Sequence, residues 1–318
     1  MNLNIIIKTD SGNFMEFLPI FATEEFLKTK SNEYGWFVNN NFILAYYIDR
    51  RFIFSKLVFT NETIYLSKNV AKEKEFLNEV INVSKNLDID LIAQPLANAV
   101  FNTIPDGAKY IPWGSYIVDL TLDEELIMKN IHSKHRNVIK KAKKDGVVVE
   151  VTQDIKVVYK NIKETMQRQN RAYPSLESLD KIKDFTVFFI AKKDGEIQGC
   201  SVFIYNQYQA LYLHGGSISR PYTGSLNLMH YEAMLYFKEK GIMQYDFMGA
   251  RPNVEKGSKL DGIQRFKSRF TKEMKQGYMW KYEIRPLKVK LMNLLQLLLA
   301  KLNGKQYLGD AIDQESKK

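Results

Sequence analysis

The fold class is decided by Phe185-Thr-Val-Phe-Phe-Ile-Ala-Lys192, the dipeptide Asp194-Gly195, then Glu196-Ile-Gln-Gly-Cys-Ser-Val-Phe-Ile-Tyr205 and Gln209-Ala-Leu-Tyr-Leu-His-Gly-Gly-Ser-Ile218. The three runs are rich in β-branched and aromatic residues, and Asp-Gly suits the tight turn of a hairpin, where positive φ is needed at both central positions. The spacing predicts a three-stranded antiparallel meander. Upstream, Ser115 to Leu120 reads as a strand, and Thr121 with Glu124 and Glu125 opens a helix predicted to run to Lys144. Gly146 ends it before the strand Val147-Val-Val-Glu-Val151, and a further helix covers about Ile155 to Arg171. Downstream come a helix from Ser225 to Lys240, a strand from Met243 to Met248, and a basic helix containing Gly262-Ile-Gln-Arg-Phe-Lys-Ser-Arg-Phe270.

The amino-terminal third repeats this order on a smaller scale. Trp36-Phe-Val38, Phe42 to Ile48, Phe52-Ile-Phe54 and Leu57-Val-Phe59 read as strands, a helix is predicted from about Ala71 to Leu87, and Asp90-Leu-Ile-Ala-Gln-Pro95 as another strand. Pro105-Asp-Gly-Ala108 and Ile111-Pro-Trp-Gly114 carry turn chemistry and place a boundary near 112. Helices interleaved with a mainly antiparallel sheet define an α+β fold. The expected organisation is a first domain over 1–112, a second over 113–285, and a segment 286–318 that returns to pack on the first.

The 318 residues are 45% hydrophobic, enough for substantial cores, and carry a formal charge of +10. That charge is clustered: residues 129–144 hold seven Lys or Arg and no acid, and residues 251–290 hold twelve against four acids. Such clusters suit polyanionic ligands, although a solubilising lysine face accounts for any one of them equally well. The single Cys200 excludes an internal disulfide and sits in a strand pattern, as a buried structural thiol does. The apolar run at Met1 to Lys8 is too short for a signal peptide, so a cytoplasmic location is expected. Leu287 to Leu302 holds ten Leu, Val or Met, but Lys288, Lys290, Asn293, Gln296 and Lys301 interrupt it, which is wrong for a spanning helix. A docking helix is the simpler expectation, and its basic flanks also suit peripheral contact with the inner face of an anionic membrane.

Several residues are placed to meet an anion. On a continuous helical wheel over 123–144, Ile127, Ile131, Val138 and Ala142 form one stripe, with Lys129, Arg136, Lys140 and Lys143 opposite. Arg136 is the stronger phosphate candidate of these, because a guanidinium fork binds phosphate bidentately. The loop Arg220-Pro-Tyr-Thr-Gly-Ser225 joins a strand to a helix, so Tyr222, Gly224 and Ser225 lie where backbone N–H groups can receive an anion. Tyr245-Asp-Phe-Met-Gly-Ala-Arg251 reads as a buried strand ending in a glycine turn. Its Asp246 suits either a turn cap or the orienting of a substrate amine, and Arg251, Arg265 and Lys267 gather positive charge beside it. His132, His135, His214 and His230 have no matched thiol or acid partners at metal-ligand spacing, and no phosphate-loop or dinucleotide fingerprint is present.

Four of these stretches occur in order: Ser133-Lys-His-Arg-Asn-Val-Ile-Lys-Lys-Ala-Lys-Lys-Asp-Gly-Val147, Leu213-His-Gly-Gly-Ser217, Tyr245-Asp-Phe-Met-Gly249 and Arg265-Phe-Lys-Ser-Arg-Phe270. Together they resemble the Fem family of non-ribosomal peptidyltransferases, which form peptidoglycan bridges; the resemblance covers roughly 113–285, and the first 110 residues by element order alone. It implies two tandem domains of the GNAT acyltransferase type. It also implies transfer of an aminoacyl group from aminoacyl-tRNA to an amine of a muropeptide precursor, nucleotide-linked or lipid-linked, with no cofactor. The family's Phe-Lys pair matches Phe266 and Lys267. By that match Lys267 is the cation that stabilises charge on the tRNA ester or its phosphate, and the Phe266 carbonyl steers the attacking amine. Basic residues that hold the precursor's phosphates fall near Arg168 and Arg171. The chain has no heptad-patterned helical insertion, so it resembles the compact members. Two other readings stay open: an N-acyltransferase using acyl-CoA on an amino sugar, whose pyrophosphate loop has a different spacing from 220–225, and a non-catalytic protein binding nucleic acid or a membrane surface.

Overall fold

The computed structural model describes residues 6–8, 18–66, 72–302, 304, 307 and 309–315. The chain opens with β1 (Ile6–Lys8), α1 (Glu24–Lys28), β2 (Tyr34–Val38), β3 (Phe42–Arg51), β4 (Phe54–Phe59), β5 (Ile64–Tyr65), α2 (Glu73–Ser84) and β6 (Leu91–Ile92). There follow β7 (Lys109–Asp119), α3 (Glu124–Asn130), α4 (Ser133–Lys144), β8 (Val147–Thr152), α5 (Ile155–Arg168) and α6 (Leu176–Asp180). Next come β9 (Thr186–Lys193), β10 (Glu196–Tyr205), β11 (Gln209–Ser217), α7 (Ser225–Glu239), β12 (Gln244–Asp246) and α8 (Lys259–Ser268). The last elements are β13 (Met274–Glu283), α9 (Pro286–Leu302) and α10 (Ala311–Glu315). The fold is α+β, with mixed, mostly antiparallel strands flanked by helices, as expected. Two compact units account for it: Met1–Gly114 with Gln276–Lys318, and Ser115–Lys275.

In the first unit the strand order is β1-β2-β3-β4-β6-β13, antiparallel except for the parallel β4–β6 pair, with β5 added beside β3. Helix α2 buries Phe76, Leu77, Val80 and Ile81, spaced one turn apart, against Phe42, Phe59, Phe101 and Trp280. Tilted aromatic pairs fill this core: Phe42 meets Phe76 at 5.1 Å between centroids and Phe59 meets Trp280 at 5.3 Å. Two sequence expectations change here. Phe52 to Phe59 is not two strands, because Arg51 pairs with Phe54 and leaves Phe52 and Ile53 as a two-residue hairpin tip, Phe52 at φ 55. Ile111-Pro-Trp-Gly114 lies inside β7 and makes no turn; the flanking β-formers Tyr110, Ile111 and Trp113 prevail over the exposed Pro112.

Asp90 ties α9 to this sheet. Its buried carboxylate accepts from the Ser55 amide at 2.9 Å, from Arg285 at 3.0 Å and from Lys288 at 3.1 Å, while Val289 and Met292 of α9 pack with Leu91 and Phe54. Burial alone would push this carboxyl up, but the Ser55 amide, Lys288 and Arg285 outweigh it and hold the group below its ordinary value. A carboxyl depressed in the folded state contributes stability above its unfolded pKa, and that contribution disappears as pH falls through the folded value. Asp90→Ala should therefore cost about 2 kcal/mol at neutral pH, by removing the carboxylate that Arg285, Lys288 and the Ser55 amide share, and its penalty should shrink in acid. Denaturant unfolding of both forms at neutral and acidic pH checks this.

In the second unit the order is β7-β12-β11-β10-β9-β8, with β12 parallel to β11 and the other neighbours antiparallel. The expected meander is present as β9, β10 and β11, with Asp194 (φ 51) and Gly195 (φ 82) in its first turn. Helix α7 packs Leu228, Met229, Ala233, Met234 and Phe237 on the sheet beside Phe189, Phe203 and Tyr245. Helix α5 covers β11, and Gly216 permits the approach: a Cβ there would stand 2.5 Å from the backbone of Asn161. Cys200 is buried, its thiol pushed up to about 12 by burial, and its Sγ lies 3.6 Å from the Val158 carbonyl oxygen.

The single helix expected over 123–144 is two helices. Ile131 is extended (ψ 134) and His132 becomes the N-cap of α4, its side chain accepting from the Lys134 amide at 3.1 Å. The buried positions are accordingly Ile127, Ile131, His135, Ile139 and Ala142, with Val138 only half-buried. A further strand, β13, stands where the sequence suggested only a link between the basic helix and the carboxy-terminal one.

Candidate active site

The candidate site lies in the second unit, at the carboxy-terminal end of β12. Tyr245 is fully buried between its register partners Ala210 on β11 and Val118 on β7. Past Asp246 the chain turns sharply through two consecutive left-handed residues, Met248 (φ 49) and Gly249 (φ 55). A methionine in that region is strained, and the turn is held from both sides. Asp246 Oδ1 accepts from the Met248 amide at 2.6 Å and from the Ser115 hydroxyl. Of the two roles open to Asp246, the structure shows the turn cap.

The second clamp is Lys267. From the last turn of α8 its ammonium reaches back to donate to the carbonyl oxygens of Met248 and, at 2.8 Å, of Gly249. Two of its three donors are thereby used, with a third remaining for another acceptor. Burial lowers its pKa to about 8; nearby Asp246 works against that fall and Arg171 adds to it. At neutral pH the group is a desolvated cation, a condition that strengthens its pull on any anionic group brought against it.

Phe266 lies beside Lys267 on an aromatic bed. Its ring is 5.3 Å from His135, 5.4 Å from His230 and 5.3 Å from Phe270. Burial drives His230 down to about 3, with Lys267 and His135 adding to the effect, and drives His135 to about 4, with Arg269 contributing. Both imidazoles are neutral at physiological pH. The ring of His230 shares a short hydrogen bond with the Tyr245 hydroxyl, whose own pKa burial pushes far up. His135 Nε2 is buried with no hydrogen-bond partner among the described residues. His135, His230 and Tyr245 are not among the site residues expected from the sequence. The signal for His135 was its spacing of four from both Ile131 and Ile139, which puts it on the buried stripe once α4 is treated as a separate helix.

The other expected residues divide into groups. Arg171 is exposed, and its charge is felt at Lys267. Arg168 donates to Thr165 Oγ1 at 3.1 Å and to the Ser217 carbonyl oxygen, at the end of β11. Arg251 offers its carbonyl to Gln264 of α8 at 3.3 Å, and Arg265 is exposed, 3.7 Å from Asp261. Arg136 caps α3: one nitrogen of its guanidinium donates to the carbonyl oxygens of Lys129, at 2.9 Å, and Ile131. Lys140 is exposed on α4. Tyr222 donates to Asp145 at 2.5 Å, and Lys141 lies on the same carboxylate. Gly224 and Ser225 form no open cradle. Gly224 (φ 88) is packed so closely on α4 that a Cβ would stand 2.3 Å from the Val138 carbonyl oxygen, and the Ser225 amide bonds to the Tyr222 carbonyl at 3.0 Å. No group of metal-ligating residues exists among the described residues.

Residues 158–297 match the FemAB family model. Three solved structures share the fold. FemX has 12% identity and a TM-score of 0.63, over 86% of this chain and 94% of its own. The carboxy-terminal domain of a putative lysylphosphatidylglycerol synthetase from Agrobacterium fabrum has 16% identity and a TM-score of 0.54, over 87% and 95%. L-PGS from Bacillus licheniformis has 14% identity and a TM-score of 0.50, over 83% and 89%. No curated protein matches the sequence.

Proposed function

We propose that the protein transfers an amino acid from aminoacyl-tRNA to an amine of a peptidoglycan precursor, nucleotide-linked or lipid-linked. The observation that carries this reading is the buried Lys267 ammonium, anchored on the Met248–Gly249 turn within the FemAB-matched region. In the reaction the acceptor amine attacks the ester carbonyl of the charged tRNA. A C–N bond forms, the ester C–O bond to the ribose breaks, the amine gives up a proton and the ribose hydroxyl is released. Negative charge develops on the ester oxygens during that exchange, and a preorganised cation stabilises it more than it stabilises the neutral ester. Phe266 sets the position of Lys267 through its packing on His135 and His230, and its carbonyl is assigned to steering the amine. Arg168 and Arg171 supply exposed positive charge for the precursor's phosphates.

The Ser225 amide is already taken by the Tyr222 carbonyl oxygen at 3.0 Å, which leaves one donor fewer for a CoA pyrophosphate at this helix start and supports charged tRNA as the donor. The test supplies radiolabelled aminoacyl-tRNA or labelled acetyl-CoA, each with muropeptide precursor or amino-sugar acceptors. Label should move from tRNA to the muropeptide. Transfer from CoA alone would overturn the donor assignment, and transfer from tRNA to phosphatidylglycerol in place of the muropeptide would overturn the acceptor. Salt-sensitive RNA binding without any transfer would make the chain a binding protein.

A further inference from the structure

Two neighbouring features of the first unit have no part in the transfer site. The first is α9. Its inward face is occupied by Val289 and Met292, and the opposite face presents Leu287, Leu291, Leu294, Leu298 and Leu302 to solvent, Leu287 82% and Leu302 83% exposed. These residues recur every three or four positions, so they form one continuous stripe along the helix. The second is the hairpin tip between β3 and β4. Phe52 is 106% exposed and Ile53 63% exposed, in a turn that ordinarily takes Asn, Asp or Gly, and Phe52 holds a left-handed backbone there. The two features are joined: Lys288 of α9 donates to the Ile53 carbonyl at 2.7 Å, and Phe54 packs with Val289 and Met292.

We infer that this leucine face and the Phe52–Ile53 tip form a docking surface for an anionic lipid bilayer, with α9 lying in the plane of the interface. Charge decides among the possible occupants. Residues 286–302 contain Lys288, Lys290 and Lys301 and no acidic residue; Lys288 pairs with Asp90, and Arg50 and Arg51 before the hairpin tip pair with Glu33 and Asp49, so the attraction rests on Lys290 and Lys301. The exposed Lys290 and Lys301 share one flank of the leucine face with the exposed Leu297, where their ammonium groups would reach out to lipid phosphates as the leucines enter the acyl boundary. A second copy of the same face would bring these lysines against their equivalents with no carboxylate on α9 to pair them. The leucines, extending to Leu295 on the flank, also cover a wider arc than the narrow seam of a two-helix coil. Among the described residues no helix is long and apolar enough to cross a membrane, so the mode is surface attachment. The inference goes beyond the transfer chemistry and does not depend on it.

Flotation of the full chain with vesicles of phosphatidylcholine alone, or mixed with phosphatidylglycerol, tests the surface without reference to catalysis. The wild type should float with the mixed vesicles and partition roughly tenfold less onto the neutral ones or in high salt. Leu294→Ser/Leu298→Ser should lower partitioning about tenfold or more, and Phe52→Ser and Lys290→Glu/Lys301→Glu should each lower it measurably. All these side chains are exposed, so near-ultraviolet circular dichroism should be unchanged. Absence of binding to either vesicle, or equal binding of wild type and variants, would overturn the inference. So would a dimer in light scattering that Leu294→Ser/Leu298→Ser converts to monomer, which would assign the face to a second copy.

Discussion

Replacing Lys267 by methionine or alanine should abolish most aminoacyl transfer, by about a hundred- to a thousandfold, while leaving the protein folded. The size of the effect follows from where the ammonium sits. It is desolvated, held by the Met248 and Gly249 carbonyls and kept charged in part by nearby Asp246, so no solvent reorganisation is needed before it acts on developing negative charge. The effect on stability should be small, within about 1–2 kcal/mol, because the lost hydrogen bonds are offset by removal of a buried charge. Methionine keeps the apolar stem in place and separates loss of charge from loss of packing. Chemical denaturation and single-turnover transfer measured on the same preparations check both halves. A variant that keeps full transfer would remove Lys267 from the chemistry and leave it as a strut for the left-handed turn.

Gly224→Val should be the most destabilising substitution in the second unit, at about 3 kcal/mol, with a thermal midpoint lowered by roughly 5–10 °C. Two penalties coincide there. The backbone at φ 88 is closed to a β-branched residue, and the added Cβ would stand 2.3 Å from the Val138 carbonyl oxygen, which cannot yield without moving α4. Gly146 provides the control: it too has positive φ (80), but open space surrounds its Cβ position, so only the conformational penalty applies to Gly146→Ala. Transfer should fall along with stability in Gly224→Val, since α4 carries His135 and α7 carries His230, and both support the Phe266 ring. Thermal unfolding followed by circular dichroism decides the stability difference. Equal midpoints for Gly224→Val and wild type would contradict the close approach of α4 and α7.

Local chemistry made the meander legible: alternation in Glu196 to Tyr205 and the Asp194-Gly195 turn are properties of neighbouring residues. The break at Ile131 and His132 was not, because it is stabilised by Arg136 reaching back to the carbonyl oxygens of Lys129 and Ile131, after a stretch whose apolar spacing passes for one helix. Strand β13 was missed for a similar reason. Tyr278, Met279 and Trp280 run without alternation between lysines, and Trp280 earns its burial from Phe59 and Phe101, far away in sequence. At the candidate site, the motif containing Lys267 could be read directly, whereas its environment could not. The carbonyl clamp requires Met248 to adopt a left-handed backbone, a conformation no propensity assigns to methionine. The same holds for Gly224, whose glycine looked like an anion loop and serves as a contact point between helices.

The pH dependence of transfer from charged tRNA, taken as the ratio of wild type to Lys267→Arg under single-turnover conditions, is the most direct test of the Lys267 site. The acceptor amine titrates alike in both enzymes and cancels, and arginine stays cationic throughout. With Lys267 at about 8, the ratio should hold steady in neutral buffer and fall as pH rises through about 8, where the lysine loses its charge. A ratio that stays flat across roughly pH 6.5 to 9.5, or an Lys267→Arg enzyme with the same descending limb, would contradict a reaction that depends on the Lys267 cation.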